Sequence, residues 1–370
     1  MEKVKFKDIT INMDNRRKPL NSIDREKISD KKLYPYCGAN AIMDYVDEYI
    51  FDEEILCIAE DGGKWGKNED CSYIMREKCW VNNHAHVIKG TDKVDIRYLK
   101  YWLNYNDLNS QITGAIVRKL TQKALNELEI ILPKKDEQAY ICNTFDKIQE
   151  IIDIKMKQIE ELEELIKALF VDMFKQKNYD KKCLNDISII KGEYGSGASA
   201  GEYIKGQPRY VRITDIQEDG RLNNNSIASP KNENNLEKYT LDYGDILFAR
   251  TGATVGKTYK YSADDGYCIY AGYCIRFRLD LEKVNPDYIF TFTKTDEYRK
   301  WVANKQRVVA QPNINAKEYG NDLLIPIPPI ELQNRFAEFV KIIDKQKFEI
   351  QKSLEETQRL QKSLMSKYFE

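Results

Sequence analysis

Two stretches of the chain carry apolar residues on alternating three- and four-residue steps. In the first, Phe145, Ile148, Ile152, Ile159, Leu162, Ile166, Leu169 and Met173 keep this spacing, with Lys155 the one interruption. In the second, Val340, Ile343, Ile350, Leu354, Leu364 and Tyr368 keep it, while Lys347, Thr357 and Gln361 interrupt it. Such spacing is the seam of a coiled coil. Each stretch is introduced by proline, Pro133 in LPKKDEQ and Pro328 in IPPIELQ, a residue tolerated at a helix start and hostile to helix before it. One constant offset sets Pro133 on Pro328, Gln138 on Gln333, Ile148 on Ile343, Leu165 on Leu360, Leu169 on Leu364 and Phe174 on Phe369. A helix of about 36 residues at about 1.5 Å per residue is some 50 Å long, and a narrow seam of that length needs a partner helix. A single stripe would read as an ordinary packed helix. Two matched copies instead predict long antiparallel helices over 132–176 and 327–370, a rigid spacer in a pseudo-two-fold α+β molecule.

The segments ahead of the helices, 1–131 and 177–326, read as two globular domains of mixed α and β structure. EEILCIAEDGGKWG (Glu53 to Gly66) resembles GDILFARTGATVG (Gly244 to Gly256): a short apolar strand, a polar step, then a glycine turn. Strand-like HVIKG from His86 and YCIYAGYCIRFRL from Tyr267 follow, and then helical DIRYLKYWLNYNDL and DYIFTFTKTDEYRKWV, the latter behind the helix-starting pair Asn285-Pro286. A shared layout with divergent loops is expected of two halves that each read something different.

A length of 370 residues suits two domains with separate cores, and 42% apolar with 32% charged residues is ordinary for a globular protein. No apolar run approaches the roughly 20 residues that cross a bilayer, and the N-terminus lacks a signal-peptide core, so a cytoplasmic location and no membrane partner are expected. The 8 cysteines include no C-x-x-C pair, which argues against a zinc ribbon or redox motif. A net charge of -1 does not advertise a nucleic-acid binder, although acids spread over exposed helices mask local basic surface.

YPYCGANAIMDY (Tyr34 to Tyr45), VNNHAHV (Val81 to Val87), RYVRITDI (Arg209 to Ile216), LFARTGATVGK (Leu247 to Lys257) and QPNIN (Gln311 to Asn315), in this order around the repeat, resemble the specificity subunits of type I restriction-modification systems. The resemblance covers essentially the whole chain. It implies two target-recognition domains that each read half of a split site in double-stranded DNA, and spacer helices against which two methyltransferase subunits dock. Two restriction (motor-nuclease) subunits would join them. S-adenosylmethionine, ATP and magnesium would sit on those partners, with no cofactor and no catalytic residue on this chain.

Reading base edges takes bidentate donors and acceptors on a rigid frame. Arg209, Arg212 and Arg250 suit that role beside Thr251, Gly252 and Thr254, with Lys257 and Lys260 available for phosphates; each alone reads equally well as a solvated cation. In the first half, Tyr36, Gly38 and Asn40 form a turn carrying an amide, against the alternative of a left-handed turn in which Asn40 caps its own backbone. Arg118, Lys119 and Lys123 are expected to meet DNA, and Gln311 and Asn313 to brace the second helix root. His84 and His86 form an H-x-H, which on a strand would aim both rings to one face. No Cys or acid has ligand spacing around them, so no metal is expected, and His84 is expected to contact DNA or pack on the turn. GATVGKT at Gly252 imitates a phosphate loop but has Thr251 where the first glycine belongs, leaving a nucleotide hydrolase as a weak alternative. A coiled-coil scaffold without nucleic acid is the other alternative; it explains the helices but not two diversified domains.

Overall fold

The computed structural model describes residues 2–114, 116–174, 178–232, 234–306 and 312–370. Strands β1 (Glu2–Lys5) and β2 (Thr10–Asn12) lead to helix α1 (Ser22–Glu26) and strands β3 (Tyr34–Cys37), β4 (Ile42–Val46), β5 (Ile55–Ala59), β6 (Ser72–Met75), β7 (Trp80–Val81) and β8 (Ala85–Gly90). Helices α2 (Ile96–Tyr105) and α3 (Gln122–Asn126), strand β9 (Glu129–Leu132) and the long helix α4 (Lys135–Phe174) follow. The second half runs through β10 (Lys181–Cys183), β11 (Ser188–Tyr194), β12 (Ser199–Glu202), β13 (Arg209–Val211), β14 (Ala228–Lys231), α5 (Leu236–Tyr239), β15 (Asp245–Ala249), β16 (Thr258–Lys260), β17 (Cys268–Tyr270) and β18 (Cys274–Leu279). It ends with α6 (Pro286–Phe292), α7 (Asp296–Gln306), α8 (Ala316–Asp322), β19 (Leu324–Pro326) and the long helix α9 (Ile330–Phe369). Both long helices start a few residues later than expected, because β9 and β19 hold the residues before the prolines and pair antiparallel with β1 and β10.

The contacts divide the chain into an N-terminal unit, 1–156 with 352–370, and a C-terminal unit, 157–351. Each unit thus takes in the start of one long helix and the end of the other, rather than following the boundaries read from the sequence. In the N-terminal unit, sheet β2-β8-β5-β6 is antiparallel and β3 lies between β4 and a parallel β7. All five residues of β5 are buried, the signature of a strand covered on both faces. Helix α2 sends Tyr98, Leu99, Trp102 and Tyr105 into a core shared with Phe145, Ile148 and Ile152 of α4 and Phe369 of α9. The two helix segments run antiparallel, with Phe145 stacked on Phe369 at 5.8 Å. The polar interruptions of the seam meet one another: Lys155 Nζ donates to Thr357 Oγ1 at 2.7 Å and Gln361 donates to Gln149 at 3.3 Å.

The C-terminal unit repeats this plan with sheet β11-β18-β15-β16 and the parallel pair β13-β17, and adds the pair β12-β14. Phe170 and Phe174 pack on Tyr288 and Phe336, and Lys347 Nζ bonds Glu163 at 2.8 Å. Val340 and Ile343 are buried, as are Phe145, Ile148 and Ile152 in the other unit. Ile159, Leu162, Ile166, Leu169, Ile350, Leu354 and Leu364 are half-buried, as a narrow seam leaves them. Single hydrogen bonds recur across the repeat: Tyr98 Oη donates to the Ile131 carbonyl at 2.7 Å, and Tyr288 Oη to the Pro326 carbonyl at 2.6 Å.

Candidate nucleic-acid interface

The same backbone frame carries a loop cluster in each unit. In the N-terminal unit the Glu60 N–H donates to the His84 carbonyl and the Leu120 N–H to the Glu60 carbonyl; in the C-terminal unit Arg250 donates to Tyr273 and Ile314 to Arg250 in the same way. Isolated bridges Asp61 with Lys119 and Thr251 with Asn313 complete the match. The repeat therefore sets Glu60 on Arg250, Asp61 on Thr251, His84 on Tyr273 and Lys119 on Asn313. It also sets Tyr36 on Tyr210 and Gly38 on Arg212, since Asn82 N donates to Cys37 O as Ala271 N does to Val211 O. Backbone is held constant while side-chain chemistry changes.

In the N-terminal unit the structure brings Asn40, His84, Arg118 and Lys119 together. Asn40 is exposed and its Nδ2 donates to the Gly62 carbonyl at 3.0 Å, so it ties two loops rather than capping its own backbone. Neither Asn40 nor Gly38 has positive φ; a Cβ at Gly38 would lie 2.3 Å from Sδ of Met43, an exposed and flexible side chain that can move aside. His84 sits in the turn before β8, half exposed, with Nδ1 2.6 Å from Asp61 Oδ1. Lys119 bonds Glu60 at 2.6 Å, and Arg118 reaches Asn109 and lies 5.9 Å from the Trp65 ring centroid. Lys123 is exposed on α3, joined to the cluster by no contact among the described residues. Tyr36 is 2% exposed, its hydroxyl facing the Leu20 backbone, which removes it from the groups offered to a ligand.

The H-x-H pair splits because the strand begins only at Ala85. His86 is buried, with Nδ1 2.6 Å from Asp14 Oδ2 and Nε2 2.8 Å from the Leu120 carbonyl. Asp14, Glu60 and His86 form the kind of cluster that could hold a metal, from acids too distant in sequence to be noticed beside an H-x-H. Arg17 Nη1 and Lys119 Nζ already face the two Glu60 oxygens, and both His86 nitrogens face acceptors, so the cluster is a closed ion network that does not fit a metal. Burial raises the Asp14 carboxyl, but bonds from His86, Val87 N–H and Asn12 outweigh it and hold it below the ordinary range. At Glu60 burial likewise raises, and Lys119 and Arg17 prevail.

In the C-terminal unit most of the expected basic readers are engaged internally. Arg209 is buried on Asn224 and the Asn223 carbonyl. Arg212 grips buried Asp215 with Nε at 2.9 Å and Nη2 at 2.6 Å. Lys257 pairs with Glu218 at 2.9 Å and Lys260 with Asp287. Arg209 is buried, Arg212, Lys257 and Lys260 are half-buried, and all four partners lie in the same unit. Arg250 differs: among the described residues no carboxylate lies within 4 Å of it, its guanidinium covers the Tyr194 ring at 4.8 Å, and Asn313 Oδ1 accepts its Nε–H at 3.3 Å. Two residues on, a Cβ at Gly252 would meet nothing within 4 Å, so the loop beside Arg250 is open. Gln311 lies outside the described residues, and Asn313 braces Arg250 and Thr251 rather than a helix root. Asn315 caps α8 with Glu318 in a capping box.

The phosphate-loop alternative falls here. Gly252–Thr254 form one 3-10 turn in which Thr254 Oγ1 bonds the Thr251 carbonyl, and strand β16 follows, so no helix N-terminus faces the loop. Among the described residues no helix is long and apolar enough to cross a membrane.

Residues 1–164 and 176–360 match the type I restriction modification DNA specificity domain. The chain is similar to the putative type I restriction enzyme specificity subunit S.HindORF215P of Haemophilus influenzae, 27% identical over 90% of this chain and 84% of that one. It is also similar to the MjaVIII specificity subunit of Methanocaldococcus jannaschii, 23% identical over 95% and 88% of the two chains. Its fold resembles that of the type I restriction-modification S subunit from M. genitalium, with a TM-score of 0.68, 14% identity and coverage of 100% and 96%. The chain belongs to the family of type I restriction-modification DNA specificity subunits.

Proposed function

We propose that this chain reads a bipartite target in duplex DNA, one half-site per unit, and directs partner subunits that carry the chemistry. The reading rests on one observation above the rest: two loop clusters share their backbone hydrogen bonds while Glu60, Asp61, His84 and Lys119 in one are replaced by Arg250, Thr251, Tyr273 and Asn313 in the other. A constant frame with changed donors and acceptors is what reading two different half-sites requires. Arg250, stacked and braced yet without a carboxylate, is suited to a guanine edge, and Arg118 to phosphates or bases.

Two methyltransferase subunits dock on the long helices, whose outer faces leave Ile151, Ile154, Leu165, Ile342, Phe348 and Leu360 exposed. Two restriction subunits complete the assembly, which works in the cytoplasm. The chain itself is non-catalytic, and S-adenosylmethionine, ATP and magnesium are held by the partners. Spacing between the half-sites is set by the length of the long helices.

Co-expression with a type I methyltransferase subunit, followed by single-molecule sequencing of methylated adenines, tests this. A split motif that disappears when this chain is deleted is expected. Methylation unchanged by the deletion would overturn the proposal and leave the scaffold alternative.

A further inference from the structure

Among the described residues Ile116 is the most exposed large apolar side chain, at 98%, and its neighbour Val117 is exposed at 61%. Both sit at the tip of a short turn closed by paired backbone bonds, Thr113 N to Lys119 O at 2.9 Å and Lys119 N to Thr113 O at 2.8 Å. Gly114 makes the reversal with φ 94, where a Cβ would meet the Val117 carbonyl at 2.1 Å. The base of the turn is fixed by His86 on the Leu120 carbonyl and by Glu60 on Lys119. Two stiff β-branched side chains are thus held out into water on a braced support, at a cost that packing within the unit does not offset.

The surroundings select the partner. Exposed Arg118 follows the apolar pair directly, Lys119 comes next, and the His84 and Asn40 cluster lies across the Asp61 bridge. Short apolar side chains followed directly by a cation are the form of a wedge that enters a base step while the cation holds the adjoining backbone. We propose that Ile116 and Val117 insert into duplex DNA at the half-site read by the N-terminal unit and unstack one base step there. This rests on the DNA-reading function proposed above, and it makes part of that half-site's specificity a matter of how easily the step opens.

The test uses the assembly of this chain with its methyltransferase subunits and a duplex carrying the mapped target. 2-Aminopurine replaces each base in turn, except the methylated adenine, which the methyltransferase itself exposes. With the unaltered chain, emission rises at one step in a single half-site. In the I116S/V117S variant, whose changes lie on exposed positions and leave the melting curve unaltered, that rise is lost and affinity falls about tenfold, a value in keeping with loss of one wedge contact. Target-specific binding by the unaltered chain with no such rise, or a rise that survives in the variant, overturns the wedge while leaving DNA reading intact. An unaltered assembly that binds all sequences equally overturns both.

Discussion

The Gln138 side-chain oxygen accepts the Asp95 backbone N–H at 2.8 Å, and its amide donates to the Pro133 and Lys93 carbonyls at 2.9 and 3.2 Å. Gln333 repeats the arrangement with Asn285, Pro328 and Lys283 at 2.9, 2.8 and 3.4 Å. Both side chains are essentially without exposure. Gln138 locks the first turn of α4 to the N-cap of α2, and Gln333 locks that of α9 to the N-cap of α6. Gln138→Ala leaves buried partners unmet and is expected to destabilise the N-terminal unit by about 2 to 3 kcal/mol, with Gln333→Ala doing the same to the C-terminal unit. Urea unfolding measures both; a cost in one unit and none in the other would refute the equivalence.

Glu163 and Lys347 are expected to couple across the seam of the C-terminal unit, where their side chains are 34% and 13% exposed. Partial exposure limits the coupling to about 1 kcal/mol. A double-mutant cycle with Glu163→Gln and Lys347→Met reads it, and additive losses would mean that the pair only tolerates its position.

Arg250 and Arg212 separate reading from folding. Arg250→Ala is expected to lower target affinity by about 10- to 100-fold and relax one base of the motif, with the thermal midpoint unchanged. Arg212→Ala frees buried Asp215 and is expected to lower the midpoint instead. Methylation mapping and melting curves on the two variants check this, and an Arg250→Ala variant with the original motif intact would remove it from the readers.

Acid is expected to weaken the N-terminal unit through Asp14 and Glu60. Both carboxyls are held below their ordinary values in the folded state, so their stabilisation is present above the unfolded value of about 4 and drains away as pH falls through the lower folded values. Asp14→Asn should lower stability at neutral pH and flatten its fall between pH values of about 5 and 2. Melts followed at Trp65, Trp80 and Trp102 report on this unit; a slope as steep in Asp14→Asn as in the unaltered chain would exclude Asp14 as a source.

By itself the sequence determined the repeat, the two long helices and the family. Their signals are local or recur at a fixed offset: a three- and four-residue period, a proline before each helix, Gln138 matching Gln333. Even the interruptions at Lys155 and Thr357 were visible, though not that they bond each other. The Arg212 to Asp215 grip spans three residues, and that spacing was open to reading as an ion pair. Tertiary structure alone decided which cations are left for DNA. Lys260 meets Asp287, Lys257 meets Glu218 and Lys119 meets Glu60 only after distant loops are folded together. Burial of Tyr36 and of Arg209 likewise depends on what packs over them, as does the closed network around His86. A side chain's type is written locally, whereas its desolvation and its counter-charge come from segments far away in the chain, and those two quantities decide whether it holds the fold or faces a ligand.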